Sequence, residues 1–173
     1  MHQLFLLRHA KAEAQPLGGS DHERKLTEAG RQAATLIGQA MRRAGLAPDV
    51  VLVSSATRTQ QTFEALEAAG VWDEWPNTDT LPALYMAGAA QLRDMLRDLP
   101  ETVRSAMIIG HNPGLQELAV GLAGRLPERA ELQRLGQNYP TASLTEFLVT
   151  APWRQLGAGK AALQRFVQPQ DAA

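Results

Sequence analysis

Three short apolar runs, QLFLLR (residues 3–8), DVVLVSS (49–55) and AMIIG (106–110), each give way to polar side chains and then to a stretch of helical periodicity. Continuous apolar runs of this length are the pattern of strands covered on both faces, as in a parallel sheet. From Thr27, Ala33, Leu36, Ile37, Ala40, Met41 and Ala44 recur at the spacing of one buried helical stripe, with Thr27 suited to the cap, Glu28 to the positive end and Gly45 to the stop. ATRTQQTFEALEAAG (56–70) places Phe63, Leu66 and Ala69 inward; residues 91–99 do the same with Leu92, Met95, Leu96 and Leu99. NPGLQELAVGLAG (112–124) buries Leu115, Leu118, Ala119 and Leu122, and two more strands are predicted near 143–150 and over 161–167. Strands alternating with helices specify an α/β layer fold with a mostly parallel sheet.

At 173 residues the chain suits one domain, and no repeat, linker or low-complexity segment divides it. Its 17 Lys and Arg stand against 18 Asp and Glu, so there is no positive excess of the kind that binds nucleic acid. Cysteine is absent, which excludes disulfides and thiolate metal sites and fits a reducing compartment. Residues 4–7 are too few for a leader or a membrane span, so the expectation is a cytoplasmic protein with no membrane partner.

In an open α/β sheet, ligands bind at the carboxyl ends of the parallel strands. Arg8 and His9 follow the first run, Ser54, Ser55 and Arg58 the second, and His111 and Asn112 the third. Each piece has an ordinary structural use: a solvated strand end, a cap at Ser55, or a cap at Asn112 with Pro113 opening a helix. Together they bring two arginines, two histidines and two helix N-termini to one edge, which suits an anion. Guanidinium groups match phosphate oxygens two at a time. Phosphoryl transfer asks a protein mainly for charge and an in-line nucleophile. Arg8, Arg58 and His111 could supply the first and a neutral His9 the second.

The motifs LLRHAKAE, DHERKLTEAG, SSATRTQQT, LY (84–85), GHNPGL and PTASL resemble, in this order, the histidine phosphatase superfamily, and within it the SixA-type phosphohistidine phosphatases. The resemblance spans residues 3–150. It implies a three-layer phosphoglycerate-mutase-like fold and a metal-independent phosphatase, with His9 as the phosphorylated nucleophile and Arg8, Arg58 and His111 around the phosphate. It also implies substrate contacts from Arg24 and Asp21, with Asn112 and Ser55 beside them; Lys25 stands where the family usually has proline. No cofactor is implied. The expected partner is a phosphorylated histidine-containing phosphotransfer protein or a small phosphorylated substrate, and a monomer is expected.

Relatives that act on alcohol phosphates carry a carboxylic acid, often after the third strand, that protonates the leaving group. LPALYMAGAAQL (81–92) contains no Asp or Glu, although Asp21 remains available. Imidazole leaves far more easily than an alkoxide, which favours phosphohistidine as substrate. No long insertion separates RHA from SSATR to form a lid.

Other readings carry less weight. The four histidines form no metal-ligating motif, and neighbouring arginines would repel a cation. GAGK (157–160) lacks the spacing of a nucleotide-binding loop and reads as a hairpin turn. A small-molecule phosphomonoesterase and a non-catalytic phosphoprotein-binding module are the two functional alternatives. His2 reads as an exposed strand start, His22 as a loop or rim residue, and Tyr85, Trp72 and Trp75 as rim or core aromatics.

Overall fold

The computed structural model describes residues 1–124 and 130–172. The strands are β1 (His2–Arg8), β2 (Val50–Ser54), β3 (Asn77–Leu81), β4 (Ser105–Gly110), β5 (Leu144–Val149) and β6 (Ala161–Val167). The helices are α1 (Glu28–Arg43), α2 (Thr57–Ala68), α3 (Ala89–Arg97), α4 (Gly114–Ala123), α5 (Ala130–Gln137) and α6 (Pro169–Ala172).

One six-stranded sheet runs in the order β3-β2-β4-β1-β5-β6. The first four are parallel neighbours, whereas β5 and β6 join antiparallel, so the sheet is mixed. The successive side chains of a strand point to opposite faces. Leu4 and Leu6 therefore pack with α3, α4 and α5, while Phe5 and Leu7 pack with α1 and α2. Both faces are dry, which is why β1, β2 and β4 read as unbroken apolar runs.

The capping of α1 follows the predicted pattern: the Thr27 hydroxyl accepts the Gly30 N–H at 2.9 Å. Ala34, Ile37 and Met41 form its buried line, with Ala33, Leu36 and Ala40 half-buried beside it and Ala44 exposed beyond the helix end. β3 has no counterpart in the sequence reading. It is an edge strand in which Leu81 is the one apolar residue of NTDTL, paired among the described residues with β2 alone, so it carries no apolar run. α5 was likewise unanticipated, because only Leu135 of it is buried. GAGK lies in the connection between β5 and β6, where Gly159 takes a φ of 76° and the Lys160 N–H donates to the Gly157 carbonyl at 3.1 Å.

His2 departs from expectation. It is buried, stacked on Trp153 at 4.6 Å, with a ring nitrogen 2.9 Å from Glu101. Trp72 is half-buried and donates its indole N–H to Pro48 O, whereas Trp75 is exposed. Among the described residues no helix is long and apolar enough to cross a membrane.

Candidate active site

The order β2-β4-β1 makes the three polar strand ends immediate neighbours. Arg8 pairs with Gly110 across the parallel ladder, and the His9 N–H continues it by donating to Gly110 O at 3.1 Å. His9 and His111 thereby face each other with ring centroids 5.3 Å apart. Arg58 enters from the first turn of α2, which starts next to β2. Arg8, His9, Lys11, Ala12, Asp21, Arg24, Arg58, Met86, His111, Asn112 and Thr141 line an open cleft of about 340 Å³.

His9 is only 7% exposed, and its Nδ1 lies 2.8 Å from the Ala10 carbonyl. A carbonyl only accepts, so Nδ1 carries the proton and Nε2 the lone pair. Burial pushes the ring pKa down to about 4; the Ala10 bond opposes this, and Arg58, Arg8 and Arg24 add to it. The imidazole is therefore neutral and nucleophilic at physiological pH.

His111 is held from two sides. Its Nδ1 lies 3.4 Å from Arg58 Nη2, and its Nε2 lies 2.7 Å from the hydroxyl of Ser54, the last residue of β2. Burial first, then His9 and Arg58, push its pKa down to about 3.

Arg58 is buried with its guanidinium bound to Asp21, through Nη1 to the backbone carbonyl at 2.8 Å and through Nη2 to Oδ2 at 3.1 Å. Asp21 also accepts from Arg24 Nη1 at 3.0 Å and from the Tyr85 hydroxyl. The Tyr85 hydroxyl, followed by the two arginines, holds its carboxyl well below the usual carboxylate range. Arg24 is fixed further by Nε donating to Glu13 O at 2.6 Å. Arg8 donates from Nη1 to Tyr139 O at 3.0 Å. The Nε atoms of Arg8 and Arg58 are buried without a hydrogen-bond partner among the described residues, leaving donor capacity in two cleft-lining cations.

Two non-glycine residues flank the cleft in the left-handed backbone region, Met86 at φ 53° and Ala142 at φ 59°. Such conformations cost about 1–3 kcal/mol each and persist where surrounding structure imposes them. Ala142 is held by its N–H reaching Arg8 O at 3.1 Å and His9 O at 3.0 Å. Met86 sits between Tyr85 and Ala87, and the Ala87 carbonyl lies against Gly114 so closely that a Cβ there would be 2.0 Å from it.

Of the residues singled out from sequence, Arg8, His9, Asp21, Arg24, Arg58, His111 and Asn112 come together in the cleft. Asn112 has its amide engaged already: Nδ2 donates to Tyr139 O at 3.0 Å, and Oδ1 accepts the Gln116 N–H at 3.2 Å, at the start of α4. Ser55, expected to contact substrate, is not among the lining residues. The strand ends one residue earlier, so Ser54 reaches inward to His111, while the Ser55 hydroxyl lies 2.8 Å from His22 Nε2. Nor does Ser55 cap α2, whose first turn follows Ala56 without a side-chain cap. Tyr85, read as rim or core, touches Asp21, stands edge-on to His111 at 5.4 Å and to His22 at 4.9 Å, and lies under Arg58 at 5.9 Å. Lys11, Met86, Thr141 and the Tyr139 carbonyl were not anticipated. Lys11 lies within the same motif as His9 and Thr141 within PTASL, but nothing local marks Met86 or the Tyr139 carbonyl.

The family model of the histidine phosphatase superfamily (branch 1) matches residues 4–81. An uncharacterized protein of Mycobacterium tuberculosis is 30% identical over 167 residues, covering 95% of this chain and all 100% of its own length. Among solved structures, a Nakamurella multipartitia protein assigned as the phosphohistidine phosphatase SixA is 27% identical, with a TM-score of 0.83 over 97% of this chain and 96% of that one. An Agrobacterium tumefaciens protein with the same assignment is 27% identical, with a TM-score of 0.82 over 97% and 98% of the two chains.

Proposed function

The chain belongs to the histidine phosphatase superfamily, SixA type, and is a phosphatase; from that premise we propose that it hydrolyses the P–N bond of phosphohistidine through a phosphoryl group carried on His9, without a metal ion. The observation that carries the choice of substrate is Asp21. Among the described residues it is the one carboxylate lining the cleft, and Tyr85, Arg24 and Arg58 all donate to it. A carboxylate held ionised has no proton to give an alcohol leaving group. A phosphohistidine ring whose second nitrogen is protonated needs none, since it departs as neutral imidazole.

In the first step the His9 Nε2 lone pair attacks phosphorus, and the bond to the substrate nitrogen breaks with its electron pair returning to that ring. Arg8 and Arg58 neutralise the equatorial oxygens, with His111 beside them. In the second step water attacks the phosphoryl group, the P–Nε2 bond breaks, and orthophosphate leaves. Ala10 O keeps a proton on His9 Nδ1 throughout, so His9 too departs as neutral imidazole. The same device thus makes His9 a nucleophile and then a good leaving group. Positive charge comes from the protein itself, which supports a reaction that needs no metal. A phosphotransfer protein phosphorylated on histidine is the partner that this chemistry and the open cleft fit best.

The test is kcat/KM for a histidine-phosphorylated phosphotransfer protein, for free phosphohistidine, for an aryl phosphate and for alcohol phosphates, with EDTA present and His9→Ala as the blank. Preference for the P–N substrates, insensitive to EDTA and absent in His9→Ala, is the expected result. Preference for alcohol phosphates, or turnover by pure His9→Ala protein, would overturn the reading.

A further inference from the structure

Residues 13–20 form a loop whose two flanking residues, Ala12 and Asp21, both line the cleft. At its tip Leu17 is fully exposed, with a relative accessibility of 106%. It is not among the residues that line the cleft. Exposed apolar side chains are common singly, but this one is presented by a shaped segment. The Gly19 N–H donates to Pro16 O at 2.9 Å, and Gln15 Nε2 donates to Gly19 O at 2.9 Å. Glu23 accepts from both the backbone N–H and the hydroxyl of Ser20, at 2.7 and 3.2 Å. Gly18 supplies the φ of 72° that the turn after Leu17 needs. At the base the Ala12–Leu26 bridge and the Glu13 N–H to Lys25 O bond at 2.8 Å tie the loop to the segment that carries Arg24.

An apolar group held in water by a hydrogen-bonded loop has already lost the freedom that binding would otherwise take from it. Met86, 50% exposed, provides a second apolar surface in the cleft itself. Lys11 and Arg24 line the same cleft, and Lys25 is exposed at the root of the loop. A small phosphorylated molecule seated at His9 leaves Leu17 in water. A protein presenting its phosphorylated side chain brings a surface around it, and this rim fits one with an apolar patch flanked by carboxylates.

Resting on the phosphohistidine reading above, we infer that the 13–20 loop is a docking element for the phosphorylated protein substrate, with Leu17 as its apolar anchor and Lys11, Arg24 and Lys25 facing acidic groups of that partner. Leu17 acts on protein substrates only, because it reaches neither His9 nor the phosphoryl group.

The experiment compares wild type, Leu17→Ser and Leu17→Met on a phosphotransfer domain phosphorylated at its histidine with phosphoramidate, and on free phosphohistidine. Wild type should favour the phosphoprotein. Leu17→Ser should lower kcat/KM for it about tenfold through KM, the usual scale for truncating an interface anchor, and leave free phosphohistidine within about twofold; Leu17→Met should restore most of the loss. Equal effects on both substrates, or none on either, would overturn the docking role. So would a wild-type enzyme that gains nothing from the protein around the phosphohistidine, and that result would leave the P–N reading intact. Failure of wild type on both P–N substrates alongside turnover of alcohol phosphates would instead overturn the reading on which the inference rests.

Discussion

The Tyr85 hydroxyl donates to Asp21 on the same carboxylate oxygen, Oδ2, that Arg58 reaches at 3.1 Å. The pair joins the segment after β3 to the connection between β1 and α1, and Asp21 passes that restraint to the buried guanidinium. Asp21 is thus a holder of arginines.

Asp21→Asn distinguishes this role from proton donation. If Asp21 delivered a proton, its loss would remove alcohol-phosphate turnover selectively. We expect equal losses for phosphohistidine and alcohol phosphates, about tenfold each, corresponding to one charge-assisted hydrogen bond of about 1.4 kcal/mol. The ratio of the two kcat/KM values is the measurement.

Arg58 combines burial, the Asp21 clamp and contact with His111, so Arg58→Ala should lower kcat/KM by at least roughly a hundredfold. Arg58→Lys should recover little of it. An ammonium cannot hold the Asp21 backbone carbonyl, its carboxylate and a phosphoryl oxygen in one plane. Far-ultraviolet circular dichroism of both variants checks that the fold survives.

The histidine rings make the molecule sensitive to acid. Their folded pKa values, about 4 for His9 and about 3 for His111, lie below the unfolded reference of about 6.5. Between those limits the unfolded chain binds more protons, so stability rises with pH. The contribution is complete above about 6.5 and is lost as pH falls through the folded values. Tm should therefore drop between about pH 6.5 and 4, and an NMR titration of the His9 ring should show its midpoint near 4. A ring midpoint near the unfolded value would contradict the burial argument.

Glycine positions in α4 should diverge. A Cβ at Gly114 would lie 2.0 Å from Ala87 O, so Gly114→Ala must displace the segment carrying Tyr85 and Met86. We expect a loss of about 1–3 kcal/mol in urea unfolding, together with reduced turnover. At Gly121 a Cβ meets nothing within 4 Å, and Gly121→Ala should stabilise by about 0.5–1 kcal/mol without changing activity.

Sequence by itself determined the layered α/β fold and most of the cleft. The strands β1, β2 and β4 are covered on both faces, so burial writes them as apolar runs, and a polar residue at the end of such a run stands out: Arg8, His9 and His111 were legible for this reason. β3 was not, because an edge strand with polar faces leaves no such trace. Only the tertiary structure decided which of two adjacent serines faces His111, since ending β2 at Ser54 sends the next side chain elsewhere. Only it joined Tyr85 to Asp21, 64 residues apart, and brought the Tyr139 carbonyl to Arg8, 131 residues away. Local sequence records burial and turns, because those act on neighbours along the chain. A hydrogen bond between distant segments depends on where the whole sheet carries them, and no short stretch of residues contains that information.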